Sequence, residues 1–427
     1  MKQSLSLLFC LFVCTSLFAD NLSPVEKKIS DYAKAHTPEA LALIEQTVNI
    51  NSGTMNPEGI RQVGAIYRKE FDALKFQTSW SEMPADMDRA GHLIAEHKGT
   101  QGKRLLLIGH LDTVFEKDTP FHPFTRIGSR AKGQGVNDMK GGDVIVIYAL
   151  KALQSVGALD NTQIIVVFHG DEEDAGSPIE VSRKDLIDAA KRSDIALAFE
   201  AAMGMTGTIA RRGVSSWTLT VTGTQSHSSD IFTPDVGAGA VFETSRILNS
   251  FYDQMRGEQY LTFNPALIFG GTEVTPDDEH SRGTAFGKTN VVARTVTVDG
   301  DIRTISVEQL EKARERMRKI VELNLPKTSA KIEFVDGYPG MAPTEGNKKL
   351  LKMLDQASRD LGYGEITPLD PAARGAGDIS FVSTQVDCLD GLGASGNGGH
   401  TNDEDMDLEA MPMLIQRAAI LIYRLTR

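Results

Sequence analysis

The chain has 427 residues, 41% hydrophobic and 24% charged, so it is long enough for two or three ordinary globular domains and shows no collagen-like, coiled-coil or disordered bias. Its 45 basic residues are outnumbered by 57 acidic ones, a formal charge of −12 that argues against nucleic acid or an anionic membrane surface as a partner. Cys10 and Cys14 fall in the first nineteen residues, which leaves Cys388 alone and excludes an intramolecular disulfide from the remainder.

Those first residues, 1–19, read as a secretory signal: Lys2 gives the positive start, Leu5 to Phe18 the apolar stretch, and Ala19 a small residue ahead of a cut. The expectation is an exported protein, periplasmic or secreted, with no stable membrane span after processing. Without disulfides it must be held by its core or by metals.

After a polar lead, Thr37-Pro38-Glu39 predicts a helix with Thr37 as N-cap and Leu41, Ile44 and Val48 on one face. A second helix is expected from about Glu58, with Ile60, Val63, Tyr67, Phe71 and Leu74 at helical spacing. Strands follow at roughly 76–80, 93–96 and 103–109. Residues 115–137 read as loop, and a helix from Gly141 carries Val144, Ile147, Leu150 and Leu153. Next come a strand at 163–168, a loop from Gly170 and a strand at 195–199. Strands alternating with helices predict an α/β fold with a largely parallel sheet and ligands at the strand C-termini.

Near 207–213 the pattern changes, because 214–221 alternates with Trp217, Leu219 and Val221 on one face, as a half-exposed strand does. A helix near 236–252, strands at 266–269 and 290–303, a helix opened by a Ser306/Gln309 capping box, and a strand at 331–335 complete this unit. After Tyr338-Pro339-Gly340 the chain returns with a helix at 348–361, a strand at 386–389 and a terminal helix at 408–425. The second domain is therefore expected as an insertion, 210–338, within a first domain of 20–209 and 339–427.

The apolar run at 103–109 ends in His110-Leu111-Asp112. If strand geometry persists, these two polar residues share a face, as a metal-binding imidazole and its orienting carboxylate do. Four further stretches carry candidates: Asp138 in a glycine-rich turn (135–142), Glu172 and Glu173 in His169-Gly170-Asp171-Glu172-Glu173-Asp174, Glu200 after a strand, and His400 in Gly398-Gly399-His400. Each has an ordinary reading, since acidic loops are usually solvated and glycine-rich turns are usually only turns.

Together, the order His-x-Asp, Gly-x-x-Asp-Met-Lys-Gly-Gly, Asp-Glu-Glu, Glu and Gly-Gly-His resembles the aminoacylase and glutamate carboxypeptidase family of dinuclear zinc peptidases and amidohydrolases. The likeness spans nearly all of the chain beyond residue 19 and is nearest in pattern to bacterial glutamate carboxypeptidases. It implies a zinc-peptidase catalytic domain with a mixed, largely parallel sheet between helices, plus an inserted α+β lid or dimerisation domain. It further implies two zinc ions per chain, one held by His110, Asp138 and Glu200, the other by Asp138, Glu173 and His400. Asp112 would orient His110, and Glu172 would act as general base. Three ligands per ion leave a position for water, in keeping with zinc chemistry.

In the inserted domain, Thr222 to Ser228 resembles the stretch whose histidine, here His227, serves the neighbouring subunit's oxyanion in dimeric relatives. Asn290 and Arg303 resemble groups that hold a substrate carboxylate, although Arg303 reads equally well as a structural ion-pair residue. Val292-Ala293 stands where relatives commonly have Ile-Pro. Val335-Asp336-Gly337-Tyr338-Pro339 stands where the glutamate-releasing relatives carry basic residues, and Arg374 offers a cation from another loop. A small peptide or N-acyl amino acid substrate and a homodimer are expected. An N-acyl-amino-acid deacylase or dipeptidase is the alternative within the class, and a metal-binding protein without catalysis the alternative outside it; the presence of Glu172, dispensable for holding metal, speaks against the latter. His36, His92, His97, His122, His169 and His280 read as structural or surface residues, Asp171 and Asp174 as loop or supporting acids, and Cys388 as a buried thiol.

Overall fold

The computed structural model describes residues 21–277 and 282–427, so the secretory-signal expectation and His280 lie outside the described residues. The first module is a six-stranded sheet in the order Gln77–Ser81, His92–His97, Thr162–His169, Gln101–His110, Ile195–Ala198, Asp387–Leu389. Its first two pairings are antiparallel and the other three parallel, giving the mixed, largely parallel sheet expected.

The run before His110 lacks alternation because both faces are covered. Leu105 and Leu107 join the core formed with the helices Gly141–Gln154 and Met411–Leu425, while Leu106 and Ile108 join a second cluster with Leu186, Ala189 and Val382. Each such buried leucine contributes roughly 1.5–3 kcal/mol. The strand end, and with it His110, is therefore held in a fixed place.

Residues 213–336 build a separate antiparallel sheet, ordered Thr262–Gly271, Thr295–Thr304, Gly213–Gly223, Thr328–Asp336. The helices Gly239–Met255 and Val307–Val321 pack on it, and Trp217, Leu219, Val221, Phe251 and Met317 form a core that shares no residue with the first. The two crossings between modules run side by side. Arg211 and Met341 exchange backbone hydrogen bonds of 3.0 and 2.9 Å, and the Val214 N–H donates to the Tyr338 carbonyl at 2.8 Å. Gly213 is required at this approach, since a Cβ there would meet Gly340 N at 2.5 Å and the Tyr338 oxygen at 2.6 Å.

Several local expectations differ from the structure. The polar lead is a helix, Pro24–Ala35, opened by a capping box in which the Ser23 and Glu26 side chains each accept the other's backbone N–H. Because that helix runs on to His36, Thr37 is the first residue of the next helix and not its N-cap; its hydroxyl donates to the Ala33 carbonyl at 3.1 Å. Residues 115–137 contain a hairpin, Thr125–Ile127 with Arg130–Lys132, that pairs with Asp405–Asp407. Two short helices, Ile179–Ser182 and Lys184–Ala190, follow Gly170. The strand expected at 290–303 begins only at Thr295, and a hairpin of Glu273–Asp277 and Arg282–Phe286 precedes it. At Ser306 the cap is shifted: its hydroxyl accepts from Gln309 N, but the Gln309 side chain accepts from Ile305 N at 2.9 Å, one residue earlier than a capping box requires.

Candidate active site

The strand that carries His110 ends at that residue, so the side-by-side placement of His110 and Asp112 does not come from strand periodicity. The chain bends instead, and brings Asp112 Oδ1 to 3.4 Å from His110 Nδ1, with the Asp112 carbonyl nearer still at 3.0 Å. This fixes the ring and turns Nε2 away from Asp112. The Asp112 carboxylate also accepts from the Thr54 hydroxyl at 2.7 Å and from the backbone N–H groups of Glu172 and Glu173 at 3.0 and 3.1 Å. One buried aspartate thus sets both the imidazole and the acidic loop.

Asp138 lies in a tight segment entered through Gly135, whose φ of +76° favours glycine. Glu404, which the sequence reading passed over, clamps that segment by accepting from the N–H groups of Gly135, Asn137 and Asp138 at 2.9, 2.8 and 2.9 Å. Asp138 then divides the cluster. Its Oδ1 is 3.4 Å from His110 Nε2, and its Oδ2 is 3.1 Å from His400 Nε2. Glu200 Oε1 lies on the first side, 3.7 Å from His110 Nε2, and Glu173 Oε2 on the second, 3.2 Å from His400 Nε2. Glu172 joins the first side, with ligand-type atoms of His110, Glu172 and Glu200 all within 4.8 Å of one another.

These groups hold one another in unusual ionisation states. Burial opposes charge on Asp138, yet the imidazoles of His110 and His400 beside it keep it far below the carboxylate range. Burial first, then the charges of Glu200 and Asp378, push Glu172 well above it. Glu200 rises to about 7 through burial and the Asp138 charge, and His400 rises to about 11 through its bonds to Asp138 and Glu173. Two buried polar atoms aimed into the cluster, His110 Nε2 and Glu173 Oε1, have no hydrogen-bond partner, although such atoms are normally satisfied. Two imidazoles and three carboxylates, split by a shared aspartate and crowded with mutually repelling acids, form a donor set that fits two zinc-type cations.

Behind the cluster lie further groups that the sequence did not single out. Arg211, buried, sets its guanidinium 4.0 Å from Glu200 Oε2 and 2.5 Å from Asp390. Arg183, fully buried, pairs with Asp171 at 2.8 Å and Asp378 at 2.7 Å, and Asp378 in turn bonds His169. Asp171 and His169 are thus members of a buried network, the supporting and structural alternatives of their sequence readings. Asp174 pairs with Arg89 at 2.7 Å, and Cys388 is buried.

Of the expected oxyanion- and substrate-binding residues, only Arg374 bonds beside the cluster within one chain, among the described residues. His227 is exposed, its ring bonded to the Ser229 hydroxyl at 2.8 Å, and the neighbouring Ser228 N–H donates to the Asn290 carbonyl at 2.9 Å, which brings His227 and Asn290 together. Arg303 pairs with Asp301 at 3.0 Å. Among the described residues, no hydrogen bond or ion pair joins His227, Asn290 or Arg303 to the carboxylates within one chain. Arg374 donates to the Thr208 hydroxyl at 3.0 Å and to the Ala201 carbonyl, next to Glu200.

Residues 106–424 match the Peptidase family M20/M25/M40. The chain is 28% identical over 427 aligned positions to carboxypeptidase G2 of a Pseudomonas species, with 97% of this chain and 96% of that protein covered. Among solved structures it resembles a tripeptidase of Staphylococcus aureus (TM-score 0.67, 19% identity, 92% of this chain and 99% of the other). It also resembles a dinuclear metal-binding M20 peptidase of Bacillus subtilis (TM-score 0.63, 14% identity, 92% and 99%). The chain belongs to the M20/M25/M40 peptidase family and is a hydrolase of that family's α/β fold.

Proposed function

We propose that the protein is an exported dinuclear zinc carboxypeptidase-like enzyme that hydrolyses a peptide or N-acyl amide bond next to a free C-terminal carboxylate. The observation that carries this reading is the division of the cluster by Asp138, with His110 and Glu200 on one oxygen and His400 and Glu173 on the other. Those residues would hold two zinc ions. Bound there, the ions would supply Lewis acidity to the scissile carbonyl and to the attacking water.

Glu172 is the general base. It takes the proton of the attacking water and passes it to the leaving nitrogen. Asp112 fixes the aim of His110 and the backbone of Glu172. His227 stabilises the oxyanion from the partner subunit, because it is exposed and, among the described residues, its ring bonds only Ser229. Asn290, Arg303 and Arg374 bind the substrate carboxylate. A homodimer through the inserted domain is supported by the exposed apolar residues Phe232 and Phe242, whose rings lie 5.6 Å apart, with Val241 and Tyr252 also exposed on the Gly239–Met255 helix. Export rests on the leader pattern of residues 1–19; among the described residues, no helix is long and apolar enough to cross a membrane.

The side chain accepted next to the scissile bond is found with a panel of N-acyl amino acids and dipeptides that differ only at the C-terminal residue. Loss of the basic residues at 335–339 predicts that a C-terminal glutamate is not required. Glu172→Gln should keep two metals and lose about 10²–10⁴-fold in kcat. Unchanged turnover would rule out Glu172 as the base, and a metal-loaded protein inert to the whole panel would favour a binding protein.

A further inference from the structure

The backbone of Glu172 is anchored at both ends. Its N–H donates to Asp112 Oδ1 at 3.0 Å, and its carbonyl accepts from the Tyr338 hydroxyl at 2.7 Å. The same hydroxyl oxygen accepts from Arg183 Nη2 at 2.5 Å. A phenol has one proton, and a guanidinium occupying its oxygen polarises that proton toward its own acceptor, the Glu172 carbonyl. Arg183 cannot turn away, because its other nitrogens are bound to Asp171 and Asp378 in a site closed to solvent.

Tyr338 sits where the chain leaves the inserted sheet, two residues beyond the Thr328–Asp336 strand. Its own carbonyl accepts from Val214 N at 2.8 Å, at the start of the strand by which the chain enters that sheet. The tyrosine is thus tied by its backbone to both crossings and by its side chain to Glu172. A shift of the inserted module relative to the first must move the hydroxyl against the Glu172 carbonyl.

We propose that the Tyr338 hydroxyl is a positioning group that registers the inserted module against the backbone of Glu172, so that the carboxylate is aimed only when the two modules are correctly seated. The inference rests on the reading of Glu172 as general base. It assigns Tyr338 no contact with substrate and no share in the proton transfer.

Tyr338→Phe removes the hydroxyl and keeps the ring that packs on Phe381 (centroids 4.9 Å apart) and under the Arg183 guanidinium. The metal-loaded variant is assayed on whichever N-acyl amino acid of the panel the wild type turns over with the highest kcat/KM. With one of two anchors gone, kcat should fall about tenfold, less than the roughly 10²-fold of a 1 Å misplacement, with KM and metal content unchanged. Hydrogen exchange should quicken at the amides of 171–176 and stay constant in the strands Gly213–Gly223 and Thr328–Asp336. In a Glu172→Gln background the same substitution should leave the residual rate unchanged, whereas a general packing defect would lower both backgrounds alike. A kcat within twofold of wild type, an equal loss in the Glu172→Gln background, or a rise confined to KM would overturn the inference. Full activity of Glu172→Gln alone would remove the base assignment and this inference with it; an inactive Glu172→Gln beside a fully active Tyr338→Phe would remove only the inference.

Discussion

Arg183→Met removes a fully buried guanidinium and keeps a side chain of similar length. In the native chain Arg183 bonds Asp378 at 2.7 Å and Asp171 at 2.8 Å, and all three side chains are closed to solvent. Removing one partner of a buried ion pair costs about 3–5 kcal/mol, because the remaining charges have neither water nor a counter-ion. Two carboxylates lose the guanidinium here, while Asp378 keeps its bond to His169 and Asp171 keeps those from the Gly176 N–H and the Ser182 hydroxyl, so a deficit within that range is expected. The pH dependence follows from the same geometry. Burial acts to raise the Asp378 pKa, but Arg183 and His169 outweigh it and hold the group below its ordinary value; Asp171 is held down likewise. A carboxylate depressed in the folded state adds stability above its unfolded pKa, and that stability is lost as pH falls through the folded value. In the variant this contribution is gone and protonation relieves the orphaned charges, so the deficit should be largest at neutral pH and shrink as pH falls below the ordinary carboxylate range. Urea unfolding of both proteins in chelator, at neutral pH and below the ordinary carboxylate range, measures it. A deficit below about 1 kcal/mol at neutral pH, or one that does not change with pH, would refute the reasoning.

Other consequences can be checked separately. In the metal-free chain the His400 pKa is raised to about 11, so the ring carries a proton at neutral pH that an incoming cation must displace. Zinc uptake in weak buffer should therefore release protons and tighten by up to about tenfold per pH unit for each proton displaced; uptake without release would contradict that assignment. Phe242→Asp, on the exposed face of the Gly239–Met255 helix, should give a monomer in sedimentation and lower activity if His227 serves the partner's site. A fully active monomer would leave His227 without that role. His227→Ala and Arg303→Ala chains, each inactive alone, should partly restore activity as a mixed dimer if the two residues belong to different composite sites.

The part of the fold carried by periodicity was legible in the sequence. The doubly buried run Leu105 to Ile108 could only be a covered strand, and the alternation around Trp217, Leu219 and Val221 marked the second sheet. The Pro24–Ala35 helix had a visible signal in Ser23-Pro24-Val25-Glu26, but its polar surface outweighed the buried pair Ile29 and Ala33. The cluster residues were legible only through the resemblance of five motifs taken together to a known peptidase family, since each motif alone has an ordinary reading as a strand end, an acidic loop or a glycine-rich turn. What could not be read was everything that acts through tertiary distance. Glu404 is an acid among acids until the chain folds it under Gly135, Asn137 and Asp138. Arg183 lies 195 residues from Asp378, and Tyr338 lies 166 from Glu172, so no local pattern joins them. Even His110 and Asp112 meet through a bend that the strand pattern did not contain.

The proposed bridging of two metal ions by one aspartate decides the chemistry. It is tested most directly by metal analysis of zinc-reconstituted Asp138→Ala beside the wild type, with circular dichroism to establish that both are folded. Two zinc ions per wild-type chain and loss of both tightly bound ions in the variant are expected, because each half of the cluster faces one oxygen of that carboxylate. Two tightly held zinc ions in the folded variant would contradict it.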